Sequence, residues 1–280
     1  MSTIEIDGTA VSYTAVGAGE SVVLLHSSAC AGGQWRDLQT ELAGRFRTVA
    51  PDLYGYGSTG AWRSRKALRL ADEAALVEAV VAQAAPGPVH LIGHSYGGAV
   101  ALRLALDRRL AVRSLTVIEP VAFQLIRNWD PWGHGLFGEI QSLAEAVTAA
   151  ATRGDGDGAM ARFVDYWNGS GAWQRLGDHQ RTALAAKAAK VAMDFRAVFA
   201  DPAIIEDFTG VDVPTLILCG ARSPMPARRV AGLLDVAMPN ARLTVVPGAG
   251  HMLPLTHRDT VDPLIAAHVA KWAVPDRRAA

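Results

Sequence analysis

The sequence predicts an α/β fold: a mostly parallel, eight-stranded sheet flanked by helices, with a helical cap inserted after the sixth strand. Three observations predict it. Short runs of β-branched and aliphatic residues alternate with longer segments of helical periodicity. The run 22–25 (Val-Val-Leu-Leu) has no polar alternation, as in a strand buried on both faces of a parallel sheet. The alternation stops near Phe123 and returns only near Thr215.

In chain order, strands are expected at 3–6, 12–16 and 22–25, separated by turns at Gly8 and Gly17 to Gly19. A helix follows at 34–43 and a strand at 47–50, which runs into the loop Pro51-Asp52-Leu53-Tyr54-Gly55. Asp52 is expected to fix that loop by hydrogen bonds. The segment 68–84 places Leu76, Val77, Val80 and Val81 at helical spacing, and Pro86-Gly87-Pro88 ends it. Strand 89–92, a turn at 93–98, helix 99–105 and strand 115–118 complete the first half. Helices are expected at 139–152, 159–167 and 181–199, with no strand between 123 and 210. Strands return at 215–219 and 243–246, with helices at 227–238 and 261–272. The division is therefore a core domain of 1–122 and 211–280 and a helical cap of 123–210. The tail 275–280 reads as frayed.

Lys plus Arg balances Asp plus Glu at 27 each. That neutrality gives no electrostatic footprint for nucleic acid or an anionic membrane. Apolar runs are too short to span a bilayer. The start, Met-Ser-Thr-Ile-Glu-Ile-Asp-Gly, lacks the basic and apolar segments of a secretory leader, so a soluble, cytoplasmic protein is expected. Cys30 and Cys219 make neither a disulfide framework nor a zinc cluster, and no metal or cofactor is expected. There is no P-loop and no dinucleotide fingerprint. No feature specifies an oligomeric state.

The chemistry centres on Gly93-His94-Ser95-Tyr96-Gly97. A strand precedes this Gly-x-Ser-x-Gly segment and an Ala-rich helix follows it. A sharp strand-to-helix turn exposes the Ser95 hydroxyl at a helix N-terminus, where unpaired N–H groups favour developing negative charge. His94, as the immediate neighbour, is expected to pack structurally.

With this turn, and with His26-Ser27-Ser28-Ala29 after the third strand followed by Trp35, the chain resembles the α/β-hydrolase superfamily, of the serine hydrolase or esterase type. The resemblance implies Ser95 as nucleophile and backbone N–H groups of Ser28 and Tyr96 as the oxyanion hole. Ser27 stands where the family usually has Gly. Pro247-Gly248-Ala249-Gly250-His251 matches the context of the family's base, which makes His251 the general base. The family's commonest acid is an Asp in Gly-x-x-Asp after the seventh strand. This chain reads Gly220-Ala221-Arg222-Ser223, and serine carries no charge. Glu119 ends the sixth strand, where some haloalkane dehalogenases of the superfamily carry a catalytic Glu, and so is the expected acid. The order Ser95, Glu119, His251 keeps the family's chain order.

The insertion would lie over Ser95. Its aromatic residues Trp129, Trp132, Phe137, Trp167 and Trp173 are candidate pocket walls, with Met225, Met252 and Leu253 beside the acid and base loops. The expected activity is hydrolysis of a small carboxylic ester without cofactor. A Ser at the nucleophile position disfavours dehalogenase and epoxide-hydrolase chemistry, which use Asp there. An acyltransferase, a carbon–carbon bond hydrolase and a non-enzymatic ligand receptor on the same fold remain as alternatives.

Overall fold

In the computed structural model, residues 1–128 and 134–274 are described. The tail 275–280, and with it the fraying expected there, lies outside them. The chain begins with a hairpin, β1 (Ser2–Ile6) and β2 (Thr9–Val16). Next come β3 (Glu20–Leu25), a 3-10 turn, α1 (Arg36–Leu42) and β4 (Phe46–Pro51). Then follow α2 (Leu70–Ala84), β5 (Val89–His94), α3 (Tyr96–Asp107) and β6 (Val112–Ile118). Helices α4 (Leu125–Asn128), α5 (His134–Thr152), α6 (Gly156–Asn168), α7 (Asp178–Ala185) and α8 (Ala188–Phe199) fill the insertion. The chain returns through β7 (Thr215–Gly220), α9 (Met225–Ala237) and β8 (Ala241–Val246). It finishes with α10 (Leu253–Thr256) and α11 (Arg258–Trp272).

The eight strands form one sheet in the order β1-β2-β4-β3-β5-β6-β7-β8. Only the β1–β2 and β2–β4 pairs are antiparallel; β4 to β8 run parallel. Strand β3 shows why its sequence lacks polar alternation. Val22 and Leu24 pack with Leu38 and Val261 on one face of the sheet, and Val23 and Leu25 with Val77 and Val100 on the other. Side chains alternate with period two, so a strand covered on both faces needs apolar residues at every position.

The expected helix at 181–199 is two helices. It breaks at Ala186 and Lys187, where Lys187 turns its ammonium to the Ala29 carbonyl at 2.8 Å. Every other expected strand and helix is present, with ends shifted by a few residues. Asp52 holds its loop as expected: Oδ1 accepts from Gly32 N at 2.7 Å and Oδ2 from Ser58 N at 2.9 Å.

Parallel strands all end on one edge, and that edge gathers the candidate site residues. Ser95 directly follows β5, Glu119 follows β6, Gly220 ends β7, and His251 lies in the loop after β8. The ends are tied together: Ser95 N donates to Ile118 O and Glu119 N to Leu218 O, both at 2.9 Å.

Candidate active site

The turn at Ser95 is forced by its neighbours. Ser95 takes φ 55 and ψ −116, a region L residues rarely adopt. A Cβ on Gly93 would stand 2.3 Å from Gly97 O, and one on Gly97 would stand 2.4 Å from Leu25 O. Only glycine at both positions lets α3 start this close to β3 and β5. Tyr96 opens α3, so its N–H has no intrahelical acceptor.

His251 Nε2 lies 2.9 Å from Ser95 Oγ, and His251 Nδ1 lies 3.2 Å from Glu119 Oε2. An ionised carboxylate only accepts, so Nδ1 carries the ring proton and Nε2 is left to accept from the serine hydroxyl. Glu119 is fully buried and takes φ 49. Its other oxygen, Oε1, accepts from Gly220 N at 2.6 Å and from Ser223 Oγ at 2.7 Å. Ser223, in the family's usual acid position, is thus a hydrogen-bond donor to the carboxylate that follows β6. Burial alone would raise the Glu119 pKa. The bond and charge of His251, with the Gly220 and Ser223 donors, outweigh it and hold the carboxyl below its ordinary range.

His94 anchors His251 from behind. Gln34 Nε2 donates to His94 Nδ1 at 3.1 Å, so His94 Nε2–H donates to the His251 carbonyl at 2.9 Å. Burial, with the neighbouring His251, lowers the His94 pKa to about 3. The loop after β3 is held similarly: Ser27 donates through N and Oγ to Gln34 Oε1, at 3.1 and 3.0 Å. The left-handed residue of this loop is Ala29, φ 62, and not Ser27, so the serine in the family's glycine position meets no backbone penalty.

A second buried polar cluster lies on the far side of Ser95. Asp194 on α8 accepts through Oδ2 from Ser28 Oγ at 2.6 Å and from Tyr56 Oη at 2.5 Å. Lys190, one turn earlier, pairs with Asp194 Oδ1 and reaches Glu73 Oε1 on α2 at 3.0 Å. Tyr96 Oη donates to the same Glu73 oxygen at 3.3 Å. Burial raises the Glu73 pKa, and burial with the nearby carboxylates pushes the Tyr56 and Tyr96 phenols well above the usual value. Burial alone would lower Lys190, but Asp194 and Glu73 lift it.

Two cavities meet at Ser95, and Ser28, Ser95, Phe163 and Trp167 line both. The smaller, about 20 Å³, is closed by Tyr96, Val121, Val191, Asp194 and Val198. The larger, about 340 Å³, is bounded by Cys30, Met160, Leu176, Leu184, His251 and Met252. Trp167, on α6, stacks on the His251 ring with centroids 3.8 Å apart and planes at 26°. Its buried indole N–H has no partner among the described residues.

Of the expected pocket residues, Trp167 and Met252 line the cavity at Ser95. Trp129 and Trp132 lie outside the described residues. Phe137 lines a different groove, between α5 and α8, where it packs on Phe199. Trp173 is buried in the core cluster, its turn fixed by Asp165 Oδ1 accepting from its N–H at 2.7 Å. Met225 starts α9 half-exposed to solvent. Leu253 points into the other core, against the sheet face covered by α11. The sequence reading missed Asp194, Lys190 and Glu73. A signal existed: Lys190 and Asp194 share the stripe of Val191, Phe195 and Val198 on α8, and Glu73 shares that of Val77 and Val80 on α2. Charges inside apolar stripes rarely go unpaired.

A family model described as the Alpha/beta hydrolase family matches residues 22–263. The chain belongs to the α/β-hydrolase family. It is 28% identical over 268 residues to a pimeloyl-acyl-carrier-protein methyl ester esterase of Nitrosomonas europaea, covering 90% of this chain and 93% of that protein. It is 27% identical over 182 residues to a haloalkane dehalogenase of Bradyrhizobium diazoefficiens, covering 62% of this chain and 57% of that protein. It also matches polyketide synthase ThaQ of Burkholderia thailandensis, 28% over 271 residues, spanning 90% of this chain and only 12% of that protein. The esterase of Exiguobacterium antarcticum shares the fold, with TM-score 0.75 at 20% identity over 95% of this chain and 97% of that one. Among the described residues no helix is long and apolar enough to cross a membrane.

Proposed function

We propose that this hydrolase cleaves a small carboxylic ester through an acyl-enzyme on Ser95. The observation that carries the reading is the continuous hydrogen-bonded series from Ser95 Oγ through His251 to Glu119. His251 Nε2 takes the serine proton as Oγ adds to the ester carbonyl. Backbone N–H groups of Ser28 and Tyr96 receive the oxyanion, an interaction worth about 2.7–4 kcal/mol of barrier per donor. His251 returns the proton to the departing alcohol oxygen. A water then repeats the sequence and releases the acid. Glu119 orients the imidazole and compensates its charge while protonated. Ser223 takes no proton; its hydroxyl helps keep Glu119 ionised.

Residues 123–210 act as a helical cap on the core domain of 1–122 and 211–280, and Trp167 and Met252 contact the substrate. The unpartnered Trp167 N–H supports a ligand with acceptor oxygens. No cofactor or metal takes part. The setting this reading assigns is the cytoplasm, with both cysteines as free thiols.

An alkyl fluorophosphonate probe tests the assignment. The native chain should become labelled and hydrolyse short esters, and Ser95→Ala should do neither while keeping its fold by circular dichroism. A native chain that resists the probe and turns over no ester overturns the reading in favour of a ligand receptor.

A further inference from the structure

The two cavities at Ser95 are unequal, and only one of them touches the base. His251 and Met252 bound the 340 Å³ cavity and take no part in the smaller one. Given the roles assigned to Ser95 and His251, on which this inference rests, the alcohol oxygen must end beside His251 Nε2, because that atom supplies its proton. The alcohol therefore extends into the larger cavity. Around the tetrahedral carbon, Ser95 Oγ, the oxyanion facing Tyr96 N–H and the alcohol oxygen occupy three directions. The oxyanion donors Ser28 and Tyr96 line the smaller cavity, so the oxyanion takes part of it, and the fourth direction, which holds the acyl substituent, is left the remainder of that cavity.

That smaller cavity is about 20 Å³, room for about one water molecule. Its branched walls, Val121, Val191 and Val198, follow a strand end or stand on α8. Its charged wall is Asp194, in a cluster of two carboxylates (Asp194, Glu73) against one ammonium (Lys190). An acyl chain ending in a carboxylate would face the Asp194 oxygens there, with the Lys190 ammonium already engaged by Asp194 and Glu73 and no lysine or arginine among the residues lining the cavity. The larger cavity is mainly apolar, with Asn168 and Arg175 among the polar exceptions in its lining, and is in the size range of small-molecule sites.

We infer that the substrates are esters of a compact, uncharged acyl group of acetyl size with a bulkier apolar alcohol. The opposite arrangement, a long acyl chain on a small alcohol, is the one this site rejects.

Isomeric esters separate the two arrangements with apolarity held constant. Hexyl acetate and methyl heptanoate have the same formula. Hexyl acetate is expected to show at least about 100-fold higher kcat/KM, the discrimination a tight apolar pocket gives for misplaced carbons. Equal rates, or faster methyl heptanoate, overturn the inference. So does turnover of neither isomer by a chain whose Ser95 still takes the fluorophosphonate label, an outcome that leaves the nucleophile assignment standing. Loss of both label and turnover overturns the assignment of Ser95 and this inference with it. Val198→Ala enlarges the smaller cavity and should raise the hexyl butanoate to hexyl acetate ratio about tenfold; an unchanged ratio removes the acyl group from that cavity. In the same variant, hexyl butanoate should outrun the similarly sized monohexyl malonate. The reverse order overturns the requirement for an uncharged acyl group.

Discussion

Two buried carboxylates flank Ser95, and their charges are met in different ways. Among the described residues, Glu119 is met by a histidine, a backbone N–H and a serine hydroxyl rather than by an ammonium. Asp194 is paired with Lys190, which it shares with Glu73. The contrast suits different tasks. A carboxylate that must answer the gain and loss of a proton on its neighbour cannot already be neutralised by a fixed ammonium. One that holds two elements together can. Asp194 and Lys190 stand on α8, Glu73 on α2, and Ser28 in the loop after β3, so this second cluster joins the helical insertion to the core.

Breaking the first cluster should cost activity with little loss of fold. Glu119→Gln leaves no charge to stabilise the protonated base and is expected to lower kcat about 10⁴-fold. Adding Ser223→Asp should restore part of that loss, because Ser223 Oγ lies 2.7 Å from one oxygen of the carboxylate whose other oxygen meets His251 Nδ1, so a carboxylate introduced at 223 starts close to the imidazole. Steady-state kinetics of the single and double variants measure this. No recovery in a folded double variant would mean that the end of β7 does not reach the base.

Breaking the second cluster should cost stability first. Lys190→Met strands Asp194 and Glu73 in the interior, and loss of one partner of a buried ion pair typically costs about 3–5 kcal/mol. Urea unfolding followed by tryptophan fluorescence checks it. An unchanged midpoint would show that the carboxylates take up protons without penalty.

The buried histidines sharpen the comparison through pH. His94 and His26 are neutral in the fold, with pKa values lowered to about 3 and about 4, chiefly by burial. In the unfolded chain both gain protons near pH 6.5. Between about 6.5 and those folded values the unfolded state binds more protons, so stability falls as pH falls, by up to about 1.4 kcal/mol per pH unit for each ring. Chemical denaturation from pH 7 to 4.5 should show that slope, and His94→Asn should flatten it by one ring's share. The smallest effect is expected from Ser223→Ala. It removes one of the donors to Glu119 and should reduce kcat/KM about tenfold. Full activity would leave Gly220 N–H and His251 as sufficient support.

The first cluster was legible in the sequence because each member sits in a turn whose backbone demands particular residues. Gly93 and Gly97 frame Ser95, Gly248 and Gly250 precede His251, and Pro120 follows Glu119. Local constraints leave local signatures. Asp194, Lys190 and Glu73 stand on ordinary helical backbone, and what makes them a unit is the packing of α8 over α2 and the β3 loop, which no single segment records. The break at Ala186 escaped notice for a related reason. The bond from Lys187 to the Ala29 carbonyl spans 158 positions, and alanine-rich sequence on both sides favours helix. The sheet read well because period-two patterning and buried strands are properties of the chain itself. The pocket read poorly, since a helix's sequence says which residues are apolar but not which cavity they face. Phe137 and Trp167 look alike in sequence and line different cavities.

Ala29, Ser95 and Glu119 all hold positive φ without being glycine; Ala29 and Ser95 line the larger cavity, and Glu119 is joined to Ser95 through His251. Such conformations cost about 1–3 kcal/mol each. A whole domain's net stability is about 5–15 kcal/mol. The corner around Ser95 thus withholds a share of the free energy that keeps the chain folded, and the surrounding sheet must be rigid enough to hold what the corner alone would relax. Substitutions selected only for thermal endurance will therefore tend to accumulate here, and will tend to erase the geometry that makes the corner reactive.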